Sequence, residues 1–399
     1  MRKKHNAKRV VLLALIAMFF FAGCVGKPIE IEAPKASPKV LPPPISIAAT
    51  SRKTPREIKE QNITLIAVGD NLIHKQIIRE AKTKNSYDFT PIYEKIKPIV
   101  QAADLAFINQ ETPIAGAAFG YTGYPSFNAP TTLGDAIYAA GFRAINHASN
   151  HSMDKGKKAI LTMIDFWKKY PKAIPLGIHA SQEDRNKPKI VSIKGIKIGF
   201  LAYTYGLNGI KLPKDSPYLV SLIDRKIMAK EIDALRPLCD FLIVSAHWGN
   251  EYEHIPGKQQ EKLANFLAEH KVDLVIGHHP HVLQPAKWIE GKDGAKTLVY
   301  YSLGNFVSAQ NKKPRMLGGM ARIVLTKRDK KVSLENAELL GVVTHFEKGY
   351  TGFKVYPLND YTGDLAKRHV LSKEKLDINY LQKLYRSVVS KEFRADSAL

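Results

Sequence analysis

Residues able to bind a metal ion or to move a proton follow nearly every apolar run of this 399-residue sequence. Six groups of such residues occur: Asp70-Asn71 with His74, Asn109-Gln110-Glu111, Asn146 to Asp154, Ser245 to Tyr252, Gly277 to His281, and Ser302 to Phe306. Only two cysteines, Cys24 and Cys239, are present, which excludes a disulfide scaffold and a cysteine-rich zinc site. Any bound metal must therefore use histidine, aspartate, glutamate and asparagine.

The segment His279-Pro280-His281 is the most specific of these groups, because proline fixes the backbone between two imidazoles that follow an apolar run. Each group taken alone has a structural explanation, since a polar residue after a strand often caps the next helix. Asp154, for instance, would cap a helix that begins near Gly156. Gly69, Gly277 and Gly304 are expected to permit close approach of the backbone to a bound group.

Short apolar runs alternate with amphipathic segments from residue 63 onward, which is typical of an α/β fold. Strands are predicted at 63–69, 104–109, 143–149, 240–247, 272–278 and 297–306, helices at 156–169, 223–236 and 258–270, and a hairpin over 188–205, so that the sheet should be mixed. Two further strands are expected within 321–345. Because ligands of α/β sheets bind beyond the carboxyl ends of strands, the six polar groups are predicted to form one site.

The composition, with 45% hydrophobic and 24% charged residues, is that of a globular protein. The 60 basic and 37 acidic residues give a net charge of +23, and removal of residues 1–23 with their five basic side chains would leave +18. This excess indicates an anionic partner or surface. No nucleic-acid-binding module is recognisable, so nucleic acid is not expected to be that partner.

The N-terminus has the pattern of an export signal, with basic residues in 2–9, an apolar run from Val10 to Ala22, and then Gly23-Cys24. The run is too short to span about 30 Å of hydrocarbon comfortably, which takes roughly 20 residues. Its end resembles a bacterial lipoprotein signal, which implies acylation of Cys24 and an exported, membrane-anchored protein that faces the periplasm or the cell exterior. A plain signal peptide or an uncleaved anchor is the alternative.

Four segments are predicted along the chain. Residues 1–23 are the lipoprotein signal peptide, and residues 24–61, rich in proline, lysine and serine, are a disordered tether. Residues 62–345 form the main domain, and residues 346–399 form a C-terminal extension that is partly helical.

The motifs GDN, NQE, SNHSMDKG, HWGNEY, GHHPHV and YSLGNF occur in this order over residues 63–310, after the export signal. As a set they resemble the bacterial capsule-synthesis family called CapA, associated with poly-γ-glutamate, whose fold is similar to that of calcineurin-like metallophosphoesterases. This resemblance implies a two-sheet sandwich flanked by helices, in four layers α/β/β/α. It also implies a two-metal centre at one edge.

The resemblance implies specific roles for residues of these motifs. Asp70 and His281 would bind a first metal, Glu111 would stand where the phosphoesterases have a bridging aspartate, and Asn150, His247 and His279 would bind a second metal. His151 would be the general acid or a phosphate contact, oriented by Asp154. The Asp-x-His start of the phosphoesterases is missing, because the imidazole nearest to Asp70 is His74, so the first metal is expected to be weakly held or absent. The longer side chain of Glu111 could change the metal separation.

Further residues are predicted around this centre. Glu251 would touch substrate or transfer a proton, or else be a solvated loop acid. His74, Tyr124 and Asn305 are predicted to bind substrate. The segment 119–130, rich in aromatic residues and glycine, is either a substrate-facing loop or a hydrophobic cover over the sheet edge.

Two functions of different class follow. The first is a metal-dependent hydrolase or transferase that acts on a phosphate ester, or on an amide bond of an anionic polymer, at the cell envelope. Two divalent cations about 3.5–4 Å apart would clamp the ester and activate water, and the donor types suit Mn, Fe or Zn. The second is a non-enzymatic accessory of the capsule-synthesis machinery that binds the polymer for export or retention, with a structural or vestigial metal site.

Overall fold

The computed structural model describes residues 60–395. The predicted signal peptide, its Cys24, and the predicted tether up to residue 59 lie outside the described residues. The first strand begins at Glu60, two residues before the predicted start of the main domain. Within residues 60–395, every helix is too short or too polar to cross a bilayer.

The first sheet has eight strands, numbered here in chain order. They are β1 (Glu60–Asn71), β2 (Leu105–Asn109), β3 (Ala144–Asn146), β4 (Ile174–Leu176), β11 (Asn305–Val307), β12 (Leu317–Arg328), β13 (Lys331–Glu347) and β14 (Thr351–Pro357). Their order is β14-β13-β12-β1-β2-β3-β4, and β11 pairs with the last residues of β1. Strands β1 to β4 are parallel, whereas β12, β13 and β14 are antiparallel to their neighbours.

The second sheet has six strands in the order β5-β6-β7-β8-β10-β9. They are β5 (Lys189–Ile193), β6 (Ile196–Thr204), β7 (Phe241–His247), β8 (Leu274–His278), β9 (Ala286–Glu290) and β10 (Lys296–Tyr300). The four inner strands are parallel, and the edge strands β5 and β9 are antiparallel. The predicted hairpin within 188–205 is therefore β5 and β6, and the sheet is mixed as predicted.

Residues 60–395 contain ten α-helices. They are α1 (Lys75–Glu80), α2 (Thr90–Tyr93), α3 (Lys97–Ala102), α4 (Thr132–Ala140), α5 (Gly156–Lys168), α6 (Gln182–Asn186), α7 (Arg225–Leu235), α8 (Lys258–Glu269), α9 (Gly363–Arg368) and α10 (Ile378–Val388). Helices α7 and α8 pack on the second sheet, where successive side chains of β7 point to opposite faces. Phe241 and Ile243 belong to the hydrophobic core shared with the first sheet, whereas Leu242 and Val244 pack with residues of α7 and α8. The predicted two-sheet sandwich flanked by helices is confirmed.

Two predicted strands differ from the structure. The run 297–306 is divided into β10 and β11, which belong to different sheets, because the chain crosses from one sheet to the other at Ser302 to Gly304. The run 143–149 is a strand only over β3, since its second half turns into the polar loop that precedes α5.

The predicted C-terminal extension is integrated into the main domain. Strand β13 runs through the predicted boundary at 345, and β14 adds to the same sheet. Phe353, Val355, Leu381 and Phe393 are all buried in the core that β1 also lines. The sequence did not reveal this because the buried apolar positions of β14 are few and alternate with lysine and tyrosine.

Gly69 and Gly277 are required by neighbouring backbone, which corrects their predicted role beside a bound group. A side chain at Gly69 would overlap the carbonyl oxygen of Gly304, and one at Gly277 would overlap that of Tyr301. Both carbonyls lie in the segment that joins β10 to β11. The two glycines therefore let this segment pass between the strands that carry the candidate site.

His147, which follows β3, links this strand to helix α5. Its Nε2 accepts a hydrogen bond of 2.7 Å from the indole Nε1–H of Trp167, and both side chains are 2% exposed. Burial lowers the pKa of His147 from 6.5 to about 3, because a charged imidazole would lose its hydration. The neutral ring is therefore part of the core.

This burial predicts a loss of stability in acid. Between pH 6.5 and about 3 the unfolded chain binds a proton that folded His147 rejects, so the free energy of unfolding falls as the pH drops through this range. The contribution of this group is up to about 1.4 kcal/mol per pH unit. The variant His147→Gln keeps an acceptor for Trp167 and cannot titrate, so its unfolding free energy should depend less steeply on pH. Urea denaturation at pH 7, 6 and 5 measures the difference, and equal slopes for both proteins would contradict the prediction.

Candidate metal centre

The six predicted metal ligands lie together at the carboxyl ends of the parallel strands. Asp70 belongs to β1, Glu111 follows β2, Asn150 follows β3, His247 ends β7, and His279 and His281 follow β8. All six side chains are buried, with at most 4% of their surface exposed. The first sheet thus supplies the acids and the amide, and the second sheet supplies the imidazoles.

One half of the cluster is built around Asp70. Its Oδ2 accepts a hydrogen bond of 2.9 Å from Nδ1 of His281, and its Oδ1 accepts one of 2.8 Å from the amide of Asn109. The opposite nitrogen of His281, Nε2, lies 3.7 Å from Oε1 of Glu111. Asp70, Glu111 and His281 each offer a ligand atom within 4.8 Å of the others.

The other half is built around His247. Its Nε2 lies 2.9 Å from Oδ1 of Asn150 and 3.8 Å from Oε1 of Glu111. The rings of His247 and His279 are 4.9 Å apart, and ligand atoms of Glu111, His247 and His279 form a second group within 4.8 Å. Glu111 belongs to both groups, which is the position of a bridging ligand.

Glu111 lacks the hydrogen bonds that a buried carboxylate normally has. Among residues 60–395, neither of its side-chain oxygens has a hydrogen-bond partner, although the residue is 1% exposed. Burial raises its pKa well above the ordinary value, and the positive charge of His281 opposes this only in part. An unpaired buried carboxylate is costly unless a proton or a cation accompanies it.

The pKa values of Asp70 and His281 also indicate that this site favours positive charge. Burial would raise the pKa of Asp70, but its contacts with His278 and His281 lower it instead. Burial would likewise lower the pKa of His281, yet the negative charges of Glu111 and Asp70 raise it to about 9. Oxygen and imidazole donors around unpaired negative charge fit a divalent cation, and the donor set does not select among Mn, Fe and Zn.

The turn after β8 presents its two imidazoles from a strained backbone. His279 has φ of 98° and His281 has φ of 58°, a region that residues with a Cβ rarely adopt. The turn is held from outside, since the N–H of Tyr252 donates to the carbonyl of Pro280 at 2.7 Å. Strain of about 1–3 kcal/mol per residue persists where the surroundings enforce a required geometry.

His151 and Asp154 form a hydrogen-bonded pair beside the cluster. Nδ1–H of His151 donates to Oδ2 of Asp154 at 2.8 Å, and the same oxygen accepts the N–H of Phe127 at 2.7 Å. Asp154 does not cap helix α5, because Lys155 occupies the N-cap position and no side chain caps this helix. The carboxylate instead fixes the imidazole with Nε2 on the opposite side of the ring.

The three predicted substrate-binding residues occupy different environments. His74 is mostly buried against Phe127, with ring centroids 5.3 Å apart, and burial lowers its pKa to about 4. Tyr124 is 79% exposed at the tip of the segment 119–130. Asn305 lies beside Asp70, and its amide nitrogen is used within the protein by Gln310 and the carbonyl of Arg315. Within the segment 119–130, Phe127 packs against the ring of His151, which fits a hydrophobic cover. A substrate-facing role of the segment stays a prediction.

Glu251 lies at the edge of the cluster rather than on a remote loop. It is exposed, and one of its carboxylate oxygens lies within 4.8 Å of ligand nitrogens of His279 and His281. Two residues that the sequence analysis omitted also contact the centre. The ring of Tyr205 is 4.7 Å from that of His279, and Asn208 accepts a hydrogen bond of 3.2 Å from the amide of Asn150. Both follow β6, a strand end that the six polar groups did not include.

His278 is a further residue that the sequence analysis left without a role. It is fully buried, stacks on Phe107 at 5.7 Å, and has Nδ1 3.5 Å from Oδ1 of Asp70. Neither ring nitrogen has a hydrogen-bond partner. This ring therefore lies beside Oδ1 of Asp70, whereas His281 contacts Oδ2.

Comparison with known proteins identifies the family of this chain. Residues 64–310, more than half of the sequence, match the family described as bacterial capsule synthesis protein PGA_cap. The chain belongs to this family. The match contains every residue of the cluster, from Asp70 to His281, and the family predicted from the motifs is confirmed.

Two curated relatives are similar in sequence. The PGA biosynthesis protein CapA of Bacillus subtilis (strain 168) is 27% identical over 247 residues, which are 61% of this chain and 62% of that protein. The capsule biosynthesis protein CapA of Bacillus anthracis is 27% identical over 321 residues, 77% of this chain and 70% of that protein. The chain thus spans about two thirds of the length of these relatives.

Two of the solved structures that match this chain are the following. The NAD nucleotidase of Haemophilus influenzae matches with a TM-score of 0.45 and 13% identity, over 84% of this chain and 58% of that chain. The calcineurin-like phosphoesterase YfkN of Bacillus subtilis matches with a TM-score of 0.40 and 12% identity, over 81% of this chain and all of that chain.

The cluster predicts metal binding that depends on its imidazoles. Loss of an outer partner of a metal ligand typically costs about 10–100-fold in affinity, so His247→Ala and His279→Ala should each cost at least that much. His179→Ala is the matched control, because this histidine is also buried but bonds Ser221 outside the cluster. Elemental analysis after loading with Mn, Fe or Zn and dialysis measures the retained metal. Equal retention by the three variants would refute the site.

Proposed function

We propose that this protein is a metal-dependent hydrolase-like enzyme of capsule synthesis. It would act on a phosphate ester, or on an amide bond of an anionic polymer of the poly-γ-glutamate type, during synthesis, export or retention of that polymer. The observation that carries the proposal is the buried, unpartnered carboxylate of Glu111 between the imidazoles of His247 and His281. In a purely structural core, a buried carboxylate without hydrogen-bond partners would only destabilise the fold.

Different residues of the cluster would bind the metal and transfer the proton. Asp70, Glu111, Asn150, His247, His279 and His281 would hold one or two divalent cations, which supply activation of water and neutralisation of the substrate's charge. His151 would carry a proton to the departing atom from Nε2, since Asp154 occupies Nδ1. Phe127 would keep water from the back of this imidazole, because its ring lies 4.6 Å from that of His151.

The proposed setting is the cell envelope. The N-terminal sequence supports an exported lipoprotein anchored through Cys24, facing the periplasm or the cell exterior, and a net charge of +18 after residue 23 suits an anionic polymer. The names of the two curated relatives associate those proteins with PGA and capsule biosynthesis.

The enzymatic proposal predicts a loss of turnover without a loss of metal. His151→Gln and Asp154→Asn should lower kcat by about 10²–10⁴-fold, because they remove a positioned proton donor or its orientation. Asp165→Asn, an exposed residue of α5 that pairs with Lys168, is the matched control. Hydrolysis of bis(p-nitrophenyl) phosphate, shortening of poly-γ-glutamate and bound metal are measured in parallel. Polymer binding without turnover of either compound by the metal-loaded wild type would identify the non-enzymatic accessory instead.

The envelope proposal predicts lipidation at a single cysteine. In a bacterial host fed labelled palmitate, the full chain should carry the label and sediment with membranes, and Cys24→Ser should do neither. Cys239→Ser, at the only other cysteine, should behave like the wild type. A Cys24→Ser protein that remains in the membrane fraction would indicate an uncleaved anchor, and an unlabelled wild type that is released would indicate a plain signal peptide.

A further inference from the structure

Arg315 lies at the rim of the metal centre, five residues beyond the matched family region. It belongs to a short 3₁₀ helix, Lys313–Met316, between β11 and β12. Its carbonyl accepts a hydrogen bond of 3.2 Å from the amide of Asn305, which pairs with Asp70 across the strands. Since Met316 is fully buried, this backbone is fixed relative to the cluster.

The guanidinium of Arg315 is stacked on Tyr252, which itself faces the cluster. Its Cζ lies 3.4 Å from the centroid of the Tyr252 ring, and that ring is 6.1 Å from the ring of His281. Tyr252 is held by its N–H bond to the carbonyl of Pro280, in the turn that carries both imidazoles. The ring of Tyr252 therefore contacts the guanidinium of Arg315 and lies close to the imidazole of His281, a proposed metal ligand.

This cation has no partner of opposite charge. Arg185, Arg236 and Arg322 each pair with a carboxylate, whereas no carboxylate of residues 60–395 lies within 4.0 Å of the Arg315 guanidinium. Its Nε is buried without a hydrogen-bond partner. A guanidinium stacked by its face keeps its edge available for two parallel hydrogen bonds to a carboxylate or a phosphate.

We propose that Arg315 binds an anionic oxygen group of the substrate, a carboxylate or a phosphate, at the rim of the metal centre, with Tyr252 positioning the guanidinium. This inference rests on the proposed function, since it places the substrate of that site. The stacking explains why a tyrosine with φ of 68° occupies this position after Glu251. It also gives Asn305 a positioning role, because its amide nitrogen anchors Arg315 rather than reaching solvent.

The test compares variants of the metal-loaded protein. Arg315→Ala should weaken binding of the anion by about tenfold to a hundredfold, the cost of losing a charged hydrogen-bond pair, while the retained metal is unchanged. Arg315→Lys should recover part of the affinity, since it keeps the charge but not the planar fork. Arg225→Ala is the matched control, because Arg225 also lies over an aromatic ring, that of Phe266, and is carried by α7 on the outer face of the second sheet.

Two ligands distinguish the sources of the anionic group. Calorimetry with poly-γ-glutamate reports carboxylates, and calorimetry with inorganic phosphate reports a phosphate. If Arg315→Ala loses affinity for only one of these ligands, that ligand identifies the anionic group. If it loses affinity for both, Arg315 binds carboxylate and phosphate alike. Tyr252→Leu should weaken binding of the same ligand as Arg315→Ala does. Tyr252→Phe, which keeps the aromatic ring, should bind that ligand like the wild type.

The outcomes separate this inference from the proposed function. If Arg315→Ala binds both ligands as Arg225→Ala does, or if the wild type binds neither ligand, the assignment of Arg315 is overturned. If the wild type binds an anion through Arg315 but cleaves nothing, the hydrolase proposal fails while the assignment of Arg315 stands.

Discussion

The structure depends on two carboxylates that are buried where the strands end, Asp70 and Glu111. Burying negative charge is unfavourable unless positive charge comes with it, and the molecule concentrates imidazoles around these acids. His281 contacts both of them, with its pKa raised to about 9, and Nδ1 of His278 lies 3.5 Å from Oδ1 of Asp70. The strained turn after β8 presents two of these imidazoles to the acids.

The two sheets contribute different chemistry to this arrangement. Parallel strands end at the same edge, so β1, β2 and β3 deliver acids and amides while β7 and β8 deliver imidazoles. Neither sheet alone could assemble both half-sites, because Glu111 comes from one and its imidazole neighbours from the other. The hydrophobic core between the sheets is therefore also what sets the distance between the donor groups.

The sequence predicted that these side chains would lie together because strand ends and residue types are local features, and their roles as metal ligands stay predictions. The apolar residues before Asp70 and those before His247 each indicate a buried strand, and the polar residues of the cluster follow immediately in the sequence. Contacts formed only in the folded chain were missed: β11 joins the opposite sheet although it continues the apolar run of β10, and β14 has weak apolar character. Arg315 and Tyr205 have no motif around them, and their contacts with the centre form only in the folded chain. Arg315 stacks on Tyr252 and its carbonyl accepts a hydrogen bond from Asn305, and the ring of Tyr205 lies against that of His279.

The crossing at Ser302 to Gly304 has a mechanical consequence. This segment links the sheets covalently, and the N–H of Asp70 donates to the carbonyl of Gly304 at 2.8 Å. Sliding of one sheet over the other would stretch this backbone bond at the residue whose carboxylate lies in the cluster. The crossing therefore opposes relative displacement of the two sheets next to Asp70.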